Sequence, residues 1–264
     1  MQTTLSHSVP APSTSKAKAP AQAKASDGAT APTGRYAPRR ALRALAALLR
    51  DPNATDQVFI ILDALSGRML DRTTDGMRAD PVGAALLENP PALVERLLDR
   101  AALRALGPET LAHAYLAFVE SEGITADGLL EADVRTRDAR SDVAFVQDWL
   151  RDTHDLEHAL TGYKGDLIGE AALLAFDLAQ HPSPGLALIV LAGYVRFGGL
   201  VSDYEPNARR IIRQGFMRGL RARKLLHVDY TDALSRNVNE LRAELRLGPP
   251  PQYRAVRPHE VDLA

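Results

Sequence analysis

The chain has 264 residues, 45% of them hydrophobic, which is enough for a substantial core in one large domain or two small ones. Its 32 Lys and Arg against 33 Asp and Glu leave a net charge of −1, which excludes a global field steering it to nucleic acid or to acidic partners. It has no cysteine, so disulfides and thiolate metal sites are excluded and any metal must be held by His, Asp and Glu.

Residues 1–38 are rich in Ala, Pro, Ser, Thr and Lys and poor in large apolar side chains, so a disordered tail is expected. No apolar run marks a secretory signal. Lys16, Lys18 and Lys24 with no acid before Asp27 give a faint likeness to an organellar transit segment, but the amphipathic stripe is missing and a flexible tail is the preferred reading. From Arg39 the spacing turns helical: Leu42, Leu45, Leu48 and Leu49, a break at Asp51-Pro52, then Val58, Ile61, Leu62 and Leu65. Asp80-Pro81 reads as an N-cap with Pro at the first helical position, opening a short helix through Leu87. Leu93, Leu97 and Leu98 carry another helix, and Gly107-Pro108 separates it from one with Leu111, Tyr115 and Phe118. His113, lacking a carboxylate at metal spacing, is taken as structural. Gly123–Arg140 is expected to be a loop.

Ser141 can cap a helix in which Val143, Val146 and Leu150 recur at three- and four-residue steps, with Phe145, Trp149, Leu156 and Leu160 as a second stripe. His154 and His158 continue the first stripe, so both imidazoles point inward on a single long helix. Asp155 stands about 100° around from His154, from the 3.6-residue period. Gly162 and Gly165 stop this helix. Asp166 caps the next, whose buried side is Leu167, Ile168, Ala171 and Leu174, with Glu170 one turn in. Pro182-Ser183-Pro184 then leads to the longest apolar run, Leu186 to Val195, too short for a membrane span and expected to be a buried helix, with a lining for a greasy ligand as the alternative. Ala208–Lys224 carries seven basic residues and no acid, interleaved with Ile211, Ile212, Phe216, Met217 and Leu220. Such a helix can lie on an anionic bilayer or present a solvated face of the core. His227 has no evident role. The last helix is expected over Thr231–Leu245, and Gly248 followed by Pro249, Pro250 and Pro251 to end the ordered fold.

With no alternating strand pattern, repeat, dinucleotide or P-loop fingerprint, the expected fold is all-α: a compact multi-helix domain over 39–248 with a metal site on a helical hairpin, followed by an irregular tail at 249–264. That hairpin would fold Glu170 back against His154 and His158, with Asp155 as a fourth ligand or an outer partner. Two imidazoles with one or two carboxylates suit Zn²⁺, Fe²⁺ or Mn²⁺ better than Ca²⁺. A His pair four apart is also what a satisfied core or surface pair looks like, and Asp155 stands where the peptidase pattern H-E-x-x-H has its base, so peptidase chemistry is disfavoured.

The run His154-Asp155-Leu156-Glu157-His158, eleven residues and Glu170 resembles the signature of the coenzyme Q (ubiquinone) biosynthesis protein four family. Leu65-Ser66-Gly67-Arg68, Met77 to Gly83 and Asn239 to Gly248 resemble it too, so the likeness runs from about Arg39 to Gly248. It implies a divalent metal, zinc by family resemblance with Fe or Mn as alternatives, held by His154, Asp155, His158 and Glu170. It implies a lyase removing the ring carboxylate of a polyprenylated 4-hydroxybenzoate derivative, with Asp155 moving the proton and hydroxylation at the same carbon as an oxidative variant. Because Zn²⁺ cannot change oxidation state and no flavin or nicotinamide fingerprint is present, that variant needs Fe, Mn or an oxidant from a partner. The implied partners are the substrate, other ubiquinone-biosynthesis proteins and a membrane surface, and a homo-oligomer is compatible with it. The implied place is the cytoplasmic membrane of a bacterium or the matrix side of the inner mitochondrial membrane. The rival reading is a non-catalytic, lipid-binding organiser of a biosynthetic complex.

Overall fold

The computed structural model describes residues 36–51, 54, 56–124 and 141–261, with backbone only at 197–200. Of the expected tail at 1–38 only the last three residues fall within it, and Pro38 already opens a helix. The loop expected over Gly123–Arg140 lies outside the described residues beyond Ile124.

Side chains that satisfy free N–H groups write many of the helix starts. Asp80, Asp99, Thr110, Ser141, Asp166, Asp229 and Asn237 each accept a hydrogen bond from the first turn of the helix that follows. The helices are α1 (Pro38–Arg50), α2 (Asp56–Ala64), α3 (Met69–Ala79), α4 (Pro81–Glu88), α5 (Leu93–Leu98), α6 (Arg100–Ala105) and α7 (Leu111–Ser121), then α8 (Asp142–Asp152), α9 (His154–Thr161), α10 (Leu167–Gln180), α11 (Pro184–Leu200), α12 (Ala208–Arg221), α13 (Tyr230–Ala233) and α14 (Val238–Glu244). Among the described residues there is no strand, only an isolated bridge between Thr110 and Asn237. The fold is all-α.

One main core joins α3 to α10, α12 to α14 and the carboxy-terminal segment, with Tyr115, Tyr163, Phe176, Ile168 and Tyr230 among its fully buried side chains. A smaller cluster of Ala41, Ala44, Ile61, Ala64 and Ile189 holds α1 and α2 against α11. The histidine-bearing hairpin is anchored by α12, where Gly215 and Gly219 bring two helix backbones together. A methyl on either would collide with the carbonyl oxygen of Ala172 or Phe176 on α10.

Several expectations are corrected. The single helix expected over the two histidines is two: α8 ends at Asp152, Thr153 intervenes with its hydroxyl donating to the Trp149 carbonyl (2.8 Å), and α9 starts at His154. In α1 the buried residues are Ala41 and Ala44 while Leu42 is exposed, because the small residues let α1 lie close to α2. The Leu186–Val195 run is not buried all round: Leu186 and Ile189 face in, but Leu191 and Val195 are more than half exposed. The last helix is interrupted, and Asn237 caps α14 after a turn. His227 has a role after all, its Nδ1 standing 3.3 Å from the Asp80 carboxylate that caps α4. The ordered fold does not end at Gly248 either. Although irregular apart from a 3₁₀ turn at Pro258–Glu260, the segment to Val261 returns across the hairpin and buries Val256 and Val261 in the main core.

Candidate metal centre

The eight residues of α9 are too few to be stable alone, so their carbonyl end is tied down from outside. Gly162, with φ +78°, adopts the left-handed cap that a side chain would disfavour, and its N–H donates to the His158 carbonyl. Arg242 donates to the carbonyls of Leu160 (2.9 Å) and Ala159 (3.0 Å), and Arg218 to that of Thr161 (2.9 Å). Cations belong at this end of a helix on electrostatic grounds as well.

On that fixed helix His158 is oriented completely. Its ring stacks on Phe118 (centroids 4.6 Å, planes 11° apart), and its Nδ1 lies 3.0 Å from the Tyr163 carbonyl. A carbonyl can only accept, so Nδ1 carries a proton, and in the neutral ring it is Nε2 that offers a lone pair. That Nε2 is buried without a hydrogen-bond partner and stands 3.3 Å from Glu170 Oε1. One turn back, His154 Nε2 is 3.6 Å from Glu170 Oε2, and the two imidazoles meet edge to face at 4.8 Å. One ligand atom from each of the three residues lies within 4.8 Å of the other two. Ligand atoms bound at about 2.0–2.2 Å to one ion stand roughly 3–3.5 Å apart, so the set fits a divalent ion after a small inward adjustment. His158 is enclosed, whereas 34% of the His154 side chain and 45% of that of Glu170 remain open to solvent. The cluster therefore has one closed and one open side.

Burial opposes the charge on His154, yet its hydrogen bond to Glu170 and the charge of that carboxylate prevail and carry the imidazolium up to about 10. Burial would raise Glu170, but the charge of His158 and hydrogen bonding from His154 hold it well below the usual carboxylate range. Solvent on the open side weakens this pairing relative to a fully enclosed one. Without an ion, the site is an imidazolium–carboxylate pair whose proton a metal would displace.

Asp155 is not among the three converging groups. It flanks them, with burial raising its carboxyl against the charges of His154 and His158, and its charge adds to the burial that raises the phenol of Tyr115, a fully buried side chain whose hydroxyl has no partner. Four features of the site went unseen in the sequence: the Tyr163 carbonyl, the Phe118 ring, the two capping arginines and the carboxy-terminal segment. The last fastens the turn between the helices. Tyr253 Oη accepts from the Lys164 N–H and donates to Asp166 Oδ1, Val256 N–H donates to Asp166 Oδ2, and Arg257 donates to Glu122 and to the Gly165 carbonyl. The positive run at 208–224 gave a partial signal, since Arg218 lies in it, but nothing local marks which arginine turns inward.

A helical protein with a two-histidine, one-glutamate cluster on a hairpin is the class that fold and site define. The profile of the coenzyme Q (ubiquinone) biosynthesis protein Coq4 family matches residues 38–251, and the chain belongs to that family. It is 31% identical over 214 residues to the mitochondrial ubiquinone biosynthesis protein coq-4 of Neurospora crassa, a match covering 80% of this chain and 60% of that protein. Identity is 32% over 220 residues to the Podospora anserina protein of that name (80% and 69% covered), and 31% over 205 residues to the Danio rerio homologue (78% and 74%). The fold is also that of a Nostoc punctiforme protein whose crystal structure is described as of ubiquinone biosynthesis, at TM-score 0.54 and 24% identity, covering 81% of this chain and all of that one.

Proposed function

We propose that this ubiquinone-biosynthesis protein is a metal-dependent lyase that removes the ring carboxylate of a polyprenylated 4-hydroxybenzoate derivative. The observation that carries the reading is the His158 Nε2: buried, unpartnered, aimed by the Tyr163 carbonyl and facing Glu170 and His154. A divalent ion there, Zn²⁺, Fe²⁺ or Mn²⁺, would supply Lewis-acid stabilisation of negative charge on the substrate. The open side at His154 and Glu170 leaves room for that substrate. We assign proton delivery to Asp155, whose burial raises its carboxyl and so keeps it protonated to higher pH than an exposed aspartate. The ring carbon keeps the electron pair of the breaking C–C bond and takes the proton, and carbon dioxide leaves. The oxidative variant, with hydroxylation at that carbon, would require Fe, Mn or an oxidant delivered by a partner.

A second reading, the non-catalytic lipid-binding organiser, is favoured by one feature. An apolar groove of about 320 Å³ runs between α1 and α11, lined by Leu45, Leu49, Leu188, Leu191, Ala192, Val195 and Arg196. No helix among the described residues is long and apolar enough to cross a membrane. Exposed Met217 and Leu220 beside Arg213 and Arg221 on α12 support peripheral attachment to an anionic bilayer. The relatives named mitochondrial support that organelle as a place for such proteins; the inner membrane there, or the cytoplasmic membrane in a bacterium, is the surface we propose.

The deciding experiment incubates metal-loaded protein with a prenylated hydroxybenzoate and follows carbon dioxide and the ring product. Turnover by the native chain and none by His158→Ala is expected. No turnover with any of the three metals, in a protein that still binds prenylated vesicles, would favour the organiser.

A further inference from the structure

The Tyr163 carbonyl that orients His158 belongs to a peptide whose other edge is held as well. A trans peptide is planar, so its C=O and N–H point in opposite directions from one rigid plate and turn together. In the plate between Tyr163 and Lys164 the oxygen accepts from His158 Nδ1 at 3.0 Å, and the N–H donates to Tyr253 Oη at 3.0 Å. The plate sits between Gly162, with φ +78°, and Gly165, where the local sequence does little to fix a peptide's direction. Lys164 is exposed, so without the phenol its N–H would turn to water and the plate could rotate its oxygen away from the imidazole.

Tyr253 is itself anchored. While accepting from Lys164, its hydroxyl donates to Asp166 Oδ1 at 2.9 Å. That buried carboxylate also accepts from the N–H groups of Ile168 and Gly169, both at 3.3 Å, and of Val256 at 2.9 Å. The hydroxyl occupies the space beside Gly169, where a methyl would stand 2.5 Å from Oη. The segment that carries Tyr253 has other moorings, since Leu167 N–H donates to the Val256 carbonyl (3.1 Å) and Arg257 to the Gly165 carbonyl (2.9 Å). Removing the hydroxyl alone therefore leaves the segment docked.

We propose that Tyr253 is a positioning residue for the candidate metal centre: by clamping the Tyr163–Lys164 peptide it holds the carbonyl that fixes the His158 ring, and so keeps Nε2 aimed at the ion. The contacts run in one line from His158 on α9, through the peptide and the phenol, to the Asp166 cap of α10, which carries Glu170. The proposal rests on the reading of His154, His158 and Glu170 as a metal site. Linkage makes the effect reciprocal, so an ion on Nε2 tightens the clamp on Lys164 by as much as the clamp tightens the ion.

The test compares three full-length chains: native, Tyr253→Phe, and Glu205→Gln, which loosens the same segment at Arg254 without touching the peptide. Competition against a zinc-buffering chelator should show Zn²⁺ held about tenfold more weakly by Tyr253→Phe, the lower end of the loss when an outer partner of a ligand is removed. Glu205→Gln should hold it as tightly as the native chain. Proton NMR of the metal-free chains gives a second reading, with the His158 Nδ1–H identified by its absence from His158→Ala. That proton should be protected from exchange in the native chain and in Glu205→Gln, and exchange freely in Tyr253→Phe. In the native chain alone, Zn²⁺ should slow exchange of the Lys164 N–H, a readout that needs no variant. A native chain that binds no Zn²⁺ would overturn the metal reading, a failure told apart from that of the clamp because the Nδ1 proton is read without metal. An Nδ1 proton as protected in Tyr253→Phe as in the native chain would overturn the proposal. So would a zinc affinity unchanged in Tyr253→Phe or lowered as far in Glu205→Gln, or a Lys164 exchange rate indifferent to Zn²⁺.

Discussion

His158 shows how one side chain is oriented as a candidate ligand. Helical spacing in the sequence was enough to put His154, His158 and Glu170 on facing surfaces, because residues four apart share a helix face and the glycines between helices force a return. The proton on Nδ1 was not legible there, since it depends on a backbone carbonyl five residues on, whose direction is set by the turn. Replacing His158 with Ala, or Glu170 with Ala, is expected to lower the bound transition metal from about one ion per chain to near none, as read by elemental analysis after gel filtration. Asp155 is a different case, because it flanks the cluster instead of converging with it. Asp155→Asn should retain the ion and shift the melting temperature by no more than a few degrees, yet abolish product formation. If metal, melting and quinone production are all normal in that variant, Asp155 does not carry the proton.

At the scale of the element, α9 is a short helix held by its neighbours, and the reasons lie mostly outside its own sequence. The break at Thr153 has no proline or glycine to announce it. The arginines that close its far end read locally as part of a solvated basic face. Arg218 nevertheless lies over the Tyr163 ring at 5.0 Å and donates from Nε and Nη2 to carbonyls, and Arg242 serves two more. Hydrogen bonds from a charged group contribute roughly 1.5–3 kcal/mol each, so losing the Arg242 pair should cost on the order of 2–3 kcal/mol once water re-solvates the half-buried carbonyls. For a chain of this size Arg242→Met should therefore lower the melting temperature by about 5–10 °C. Metal affinity should fall with it, because His158 loses the fixed end of its helix. An unchanged melting curve would mean that Gly162 alone suffices to cap α9.

The whole molecule is closed by a segment that no periodicity could reveal. Hydrophobic patterns report helices and strands, whereas the stretch from Gly248 to Val261 has almost no regular structure. It earns its place through Val256 and Val261 in the core and through bonds made by single side chains. Glu205 is one such fastener: its Oε2 accepts from the Arg254 N–H and its Oε1 from the Asn207 N–H, both at 2.9 Å. The Arg254 bond is the main cause that holds its carboxyl below the usual range, against the opposing effect of burial. The sign follows directly. A carboxyl depressed in the folded state contributes stability that is complete above its unfolded value, about 4.3, and is lost as pH falls through the lower folded value. Glu205→Gln cannot ionise, so it should be less stable than the native chain by about 1–2 kcal/mol at neutral pH, with the gap narrowing as the solution is acidified below pH 4. Denaturant melts of both proteins at several pH values measure that gap. A difference that stays constant across the acid range would mean that the segment is held by Val256 and the Asp166–Tyr253 contact, with the Glu205 charge contributing nothing.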